Sequence, residues 1–535
     1  MAPNHSNLGL EEADNEKIDS DLRQLEAVHD THFYNIDHEI EKKVVRKLDC
    51  VILPLMVLVY FFQYLDKQTI NQAAIFGLRC DLKLTGQEFS WAVSLFYLGQ
   101  LCSEYPAAIM LSRFPITIYV GVTIVLWGGV NMCLAAVHNF AGLAAVRFFL
   151  GFSEGKTHFI DHPLPRLSIL LGTVSPAFII ITSIWYKRQE HPIRVATWVS
   201  MNGIANIIGA LMMYGIGKGN MSLAPWRSLF LICGGLTSAT GLLFIFLMPR
   251  DTTTAWFLSP REREVATQRM AIDRATRDHA VFNKAQLKEA LLSPMTWIYC
   301  LMGICITLTT PIMKVLTYSL PTQKYSSTVI HGFSYSTYKT MLVGTPAGAF
   351  NFITVWIGAI IPRILPGTRV YTAIGLSIVP LLGSILLMTL PYSGGADWGI
   401  VVATWLGGCS SSLISSAASI IASNVKGNTK KSIVSTAFFV AYCVGCIVSP
   451  QAWTEDDAPR YTKGCILSIA AMACLILTFI GYVFMVKRLN RRRDLKASEG
   501  YIEYMVDRGD GGGRMGVSVD SDHTDVEDKA FRYTI

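Results

Sequence analysis

Two residues early in one apolar stretch, Arg147 and Glu154, could carry charge through a membrane, with Gly151 between them in the run Arg147-Phe-Phe-Leu-Gly-Phe-Ser-Glu-Gly155. Spacings of four and three put all three on one face of a helix. A charged pair inside a bilayer helix is costly, so it faces a cavity or a partner and marks a transport path by default. The plainer alternative is a pair that only locks two helices together. In an earlier apolar stretch Tyr60, Gln63, Lys67 and Asn71 recur at steps of three, four and four, one polar stripe on a helix. An aromatic–amide–cation stripe suits a small organic anion: the cation attracts it and the amides orient it. A stripe that merely packs on a neighbour has the same spacing. Tyr97 and Gln100, three apart, would extend that site. Asp66 is either a second protonation site or the counter-charge of Lys67.

These residues need helices to hold them, and composition supplies the setting. Apolar residues make up 51% of the 535 and charged residues only 16%, with a mean hydropathy of +0.38. Such values fit an all-α polytopic membrane protein far better than a soluble enzyme. The net charge of +7 is carried by basic residues beside apolar spans, where it reads as a topology signal rather than as nucleic-acid binding. The 12 cysteines lie mostly inside apolar runs without paired or metal-ligand spacing, so neither a disulfide framework nor a metal site is expected.

A span needs about 20 apolar residues to cross a core about 30 Å thick. Segments of that kind fall at 50–71, 89–111, 117–137, 141–186 (interrupted), 196–217, 226–248, 294–320, 338–361, 369–390, 398–423, 432–450 and 465–486. The expected organisation is a cytosolic tail (1–48), a six-helix bundle (49–248), a charged central loop (249–293), a second six-helix bundle (294–486) and a polar tail (487–535). Basic residues crowd one set of connections, including Arg113, Lys187, Arg194, Lys430, Lys431 and Arg491, which predicts cytoplasmic termini.

Six helices, a charged loop and six more resemble the major facilitator superfamily. More narrowly the chain is similar to its anion:cation symporter branch, which contains the fungal allantoate permeases. The matching stretches run from about residue 40 to 490. They include Arg46-Lys47-Leu48-Asp49, Tyr64-Leu65-Asp66-Lys67, Phe96-Tyr97-Leu98-Gly99-Gln100 with Glu104, the Arg147 run, Trp185-Tyr186-Lys187-Arg188 and Asn424-Val-Lys-Gly427-Asn-Thr429-Lys430-Lys431. The branch usually has Arg where Lys67 stands here; Lys keeps the charge but loses the planar fork that grips a carboxylate. The motif after the second span is shortened to Ser112-Arg113-Phe114-Pro115. The resemblance implies alternating access and ties Arg147 to substrate or coupling, which makes Glu154 the expected proton carrier. Glu104, Arg113, Lys430 and Lys431 are expected to be gate or structural residues.

Directly after Glu154 the sequence departs from a membrane helix. Residues 156–172 hold five ionisable groups and two prolines, which would break a helix and need partners at membrane depth. The family pattern runs straight from Glu154-Gly155 to Thr173, and the segment is read as inserted, retained intron sequence; the alternative is a genuine extra loop that re-routes the helix into the cytosol or a cavity. A weaker irregularity occupies 315–323.

Enzymatic readings fail: no phosphate-cradling Gly-rich loop with Lys, metal cluster or nucleophile elbow occurs. No cofactor is expected. The expected function is proton-coupled symport of a small organic anion, led by allantoate-like ureidocarboxylates and followed by vitamin-like monocarboxylates, by a monomer in the plasma membrane. An uncoupled facilitator, a transport-dead splice form and a nutrient receptor are the alternatives.

Overall fold

The first apolar segment folds as a single helix, α1 (His38–Ala73), so its first turns lie in what reads as a polar tail. A computed structural model describes residues 38–85, 87–113, 116–154, 178, 181–182, 184–187, 190–219, 221–274, 283–309, 337–391, 398–453, 457, 461–507, 524–528 and 531–535. The segments at 156–172 and 315–323 lie outside these residues. At Phe76–Gly77 the end of α1 turns sharply; Gly77 has φ +97, a conformation open to glycine at no steric cost.

The longer described helices of the first half after α1 are α2 (Glu88–Arg113), α3 (Ile116–Cys133), α4 (Phe140–Glu154), α5 (His191–Val199), α6 (Met201–Lys218) and α7 (Pro225–Leu247). Two loop helices follow, α8 (Pro260–Arg274) and α9 (Lys284–Leu292). The second half holds α10 (Pro294–Leu308), α11 (Thr337–Ile364), α12 (Arg369–Thr389), α13 (Trp398–Gly407), α14 (Ser411–Asn424), α15 (Asn428–Val448) and α16 (Thr462–Asp507). Among the described residues nine helical segments are long and apolar enough to cross a membrane, and α4 is a shorter apolar helix. Large apolar side chains such as Phe246, Phe484 and Leu477 face outward, 68–80% exposed, as lipid contact requires and water would penalise.

Within the first half α2 packs on α4 and α3 on α7, with α1 against α6 and α7; within the second, α10 packs on α15 and α12 on α13 and α16. Two helix pairs, α2 with α15 and α6 with α11, form the principal seam between halves. In the second pair the backbones touch: a Cβ on Gly203 would lie 2.4 Å from the Gly348 carbonyl oxygen.

One face of the molecule is charged. There α8 is tied to the first half. Arg269, fully buried, bonds Glu190 at 2.6 Å and lies 3.8 Å from Glu41, while Lys187 also bonds Glu41 and Arg194 grips Asp49 through both carboxylate oxygens at 2.9 Å. Lys47 pairs with Glu262 at 2.7 Å. Ser259 and Glu262 cap α8 reciprocally, the Ser-x-x-Glu arrangement that satisfies two otherwise orphaned N–H groups. Lys47 and the Ser259 N–H hold the Glu262 carboxyl below its ordinary range. This link is therefore present at neutral pH and is lost as acid carries the pH down through the depressed value.

Candidate functional site

Two glycines determine how closely α2 and α4 meet. A Cβ on Gly151 would sit 1.8 Å from the Phe96 carbonyl oxygen, and one on Gly99 would sit 2.0 Å from that of Phe148. No side chain fits at either position, so the two backbones cross in direct contact, as small residues permit in membrane helices. Arg147, one turn before Gly151, is thereby pressed against α2. It is 2% exposed, its Nε donates to the Ala92 carbonyl at 3.4 Å, and its guanidinium carbon lies 5.2 Å from the centre of the Phe96 ring.

Lys67 arrives at the same ring from α1, its Nζ 5.6 Å from the centroid. Two cations on different helices thus converge on one phenyl ring, each within cation–π range. Tyr97 follows directly; its ring meets Phe96 edge-on at 5.1 Å and meets Tyr442 of α15, in the other half, at 6.3 Å. Gln100 is 1% exposed, and its Oε1 has no hydrogen-bond partner among the described residues. A buried amide oxygen in that condition is expensive and is suited to an N–H donor from a ligand.

Of the other members of the α1 stripe, Tyr60 and Asn71 have partners outside this cluster. Tyr60 packs its ring 4.7 Å from Trp198 of α5 and 6.3 Å from Phe178 in an apolar cluster. Asn71 donates to Gln68 at 3.2 Å within α1 itself. Gln63 is 3% exposed in the bundle. Asp66, fully buried, turns toward α3 and α7, accepting from Asn131 Nδ2 at 2.9 Å and Thr237 Oγ1 at 2.8 Å. Replacing Asp66 by Ala should strip both donors of their acceptor and cost about 2–4 kcal/mol. A lowered thermal midpoint in detergent checks this; an unchanged midpoint contradicts it.

Glu104 and Arg113 lie on α2 and Glu154 ends α4, with side chains outside the described residues. Lys430 Nζ is held by Glu289 at 2.7 Å and Asp525 at 2.6 Å on the charged face. Lys431 Nζ donates at 3.3 Å to the Ala422 carbonyl near the end of α14, where a helix favours a cation. On the face opposite, Ser94 of α2 donates to the Ile447 carbonyl of α15 at 2.8 Å and accepts from Gln451 Nε2 at 3.0 Å. The seam is thus pinned there by hydrogen bonds between halves. Phe96 and Gly99 are the contributors that residue-type reasoning passes over, although both lie inside a motif that carries the family resemblance; Gly151 is placed by its spacing from Arg147, but its contact with α2 is not.

The sequence matches the Major Facilitator Superfamily profile over residues 56–157 and 167–450. The break falls inside the segment read as inserted. An uncharacterized transporter of Schizosaccharomyces pombe is 32% identical over 95% of this chain and 92% of its own length. The allantoate permease of Saccharomyces cerevisiae is 27% identical over 97% and 91%. A thiamine pathway transporter of the same yeast is 29% identical over 98% and 91%. Among solved structures the xylose transporter XylE from E. coli, in a partially occluded inward-open conformation, superposes with a TM-score of 0.53 at 11% identity, covering 79% of this chain and 95% of that one. FucP in an outward conformation gives 0.50 at 13% identity, covering 80% and 97%. At such identities these two likenesses establish the fold alone.

Proposed function

Because the chain belongs to the Major Facilitator Superfamily, and is therefore a multi-pass membrane transporter and not an enzyme, we propose that it carries a small organic anion together with a proton by alternating access. The observation that carries the reading is the convergence of Lys67 and Arg147 on Phe96. A carboxylate arriving between them would exchange two weak cation–π contacts for charge-assisted hydrogen bonds, which are stronger. The Gln100 Oε1, without a hydrogen-bond partner among the described residues, supports a ligand that also offers N–H groups, as a ureidocarboxylate does. The yeast allantoate permease among the relatives makes allantoate the first substrate to test; nicotinate and pantothenate follow.

Glu154, seven residues after Arg147 on the same helix face, is the proposed proton carrier. Desolvation and a nearby guanidinium pull its proton affinity in opposite directions, so a change of conformation can switch its protonation. Asp66, held by Asn131 and Thr237, is assigned the job of fixing α1 so that Lys67 faces α2. Glu154→Gln should abolish pH-dependent accumulation of substrate while leaving exchange across the membrane intact. Unaltered pH dependence in that variant rejects the assignment.

The proposed site of action is a fungal-type plasma membrane with the charged face in the cytoplasm, where clustered basic residues are retained. The active form is proposed to lack residues 156–172, which joins Gly155 to Thr173 in one helix. Sequencing mature message across codons 145–180 tests this. Absence of the 51 bases (17 codons, residues 156–172) is expected, and their presence overturns the proposal.

A further inference from the structure

Two stretches of the polar tail, 524–528 and 531–535, are bound to the charged face of the second half, the latter in a manner specific to its backbone. Asn490 of α16 takes both main-chain groups of Tyr533: its Nδ2 donates to the carbonyl at 2.8 Å and its Oδ1 accepts from the N–H at 3.0 Å. Asn424, closing α14, does the same for Thr534, accepting from its N–H at 2.6 Å and donating to its carbonyl at 2.9 Å. The Ile535 carbonyl accepts from the Arg369 N–H at 3.2 Å. The Tyr533 ring is 6% exposed under the Arg493 guanidinium, 4.7 Å away. Two side-chain amides reading consecutive peptide groups, with an aromatic anchor beside them, make a peptide-recognition site.

The segment also captures charge. Asp525, 4% exposed, binds Lys430 Nζ at 2.6 Å and accepts from Tyr533 Oη at 2.7 Å. Thr524, fully buried, donates to Glu289 of α9 at 3.0 Å, and Asp528 pairs with Lys426. Gly427, at φ +94, turns the chain between α14 and α15 beneath these contacts; a Cβ there would meet Thr524 at 3.1 Å. Lys430, in the first turn of α15 on the charged face, is therefore held by Glu289 and Asp525 on the side of the second half. On the charged face of the first half, Glu41 pairs with Lys187 and Asp49 with Arg194.

We propose that the tail carrying residues 524–528 and 531–535 is a detachable latch: docked, it holds Lys430 and the α14–α15 turn within the second half and disfavours closure of the charged face. A ligand of one conformation shifts the equilibrium by its differential affinity, and a tethered peptide is such a ligand. Release favours closure of the charged face and opening of the opposite one. The inference rests on alternating access by the two halves.

The test uses Ser94→Cys in the chain that the mature message encodes, since Ser94 is 1% exposed at the seam of the opposite face. The maleimide labelling rate, taken over the chain without this substitution, reports opening there. It is compared in reconstituted full-length protein, in protein truncated after Asp507, and in a Thr524→Glu variant. The added carboxylate of that variant faces Glu289 and Asp525 and repels the docked segment. Truncation and Thr524→Glu should each speed labelling roughly fivefold or more, and a synthetic peptide of residues 524–535 should slow the truncated protein again. Equal, measurable rates in all forms overturn the latch and leave the carrier reading standing. Failure of the peptide to slow the truncated protein also overturns it. Labelling absent from every form rejects the alternating access on which the latch depends.

Discussion

Replacing Arg147 by Ala is expected to cut uptake of the transported anion on the order of 100-fold while the protein still reaches the membrane. Arg147 is 2% exposed and lies against Phe96 and the Ala92 carbonyl, so its cation is presented in a desolvated setting where charge-assisted contacts are strong. Removing one member of such a pair with substrate costs about 3 kcal/mol, equivalent to that factor. Arg147→Lys keeps the charge but loses the planar fork, and an intermediate loss is expected. Uptake of radiolabelled allantoate, normalised to surface protein, separates these outcomes. Full activity in Arg147→Ala would mean that the cation only joins helices.

Gly151→Val should be more damaging still, because it acts before substrate is met. A Cβ at this position falls 1.8 Å from the Phe96 carbonyl oxygen and 3.1 Å from the Gln100 nitrogen. Backbone atoms cannot yield as a flexible side chain can, so α2 and α4 must separate. The cost exceeds the about 1–3 kcal/mol of ordinary overpacking, and Arg147 is carried away from the ring it shares with Lys67. Loss of most folded protein at the membrane is expected, with no uptake from the remainder. Gly129→Ala is the matched control, since a Cβ there meets nothing within 4 Å. Wild-type folding and uptake in Gly151→Val would show that the two helices do not depend on this contact.

Much of the architecture is legible in the sequence because lipid makes a simple demand: about 20 apolar residues per crossing. The segments read at 226–248 and 369–390 are the helices Pro225–Leu247 and Arg369–Thr389. The site is only partly legible. Periodicity assigns Tyr60, Gln63, Lys67 and Asn71 to one face of α1 but not to the neighbour each meets. Lys67 reaches Phe96, whereas Tyr60 is taken by Trp198 and Asn71 by Gln68. Gly99 and Gly151 look like any glycines in apolar spans until a second helix crosses at both. The segment 524–535 is harder again, for its acidic, polar composition suits a solvated tail. Only the folded chain brings Asp525 to Lys430 and the Tyr533 backbone to Asn490.

The most direct measurement is uptake of radiolabelled allantoate into proteoliposomes holding the purified protein, with and without an inwardly directed proton gradient. Accumulation above the external concentration only when the gradient is present, abolished by Arg147→Ala, is the expected result. Accumulation indifferent to the gradient, or an absence of uptake shared by allantoate, nicotinate and pantothenate, would contradict a proton-coupled carrier of small organic anions.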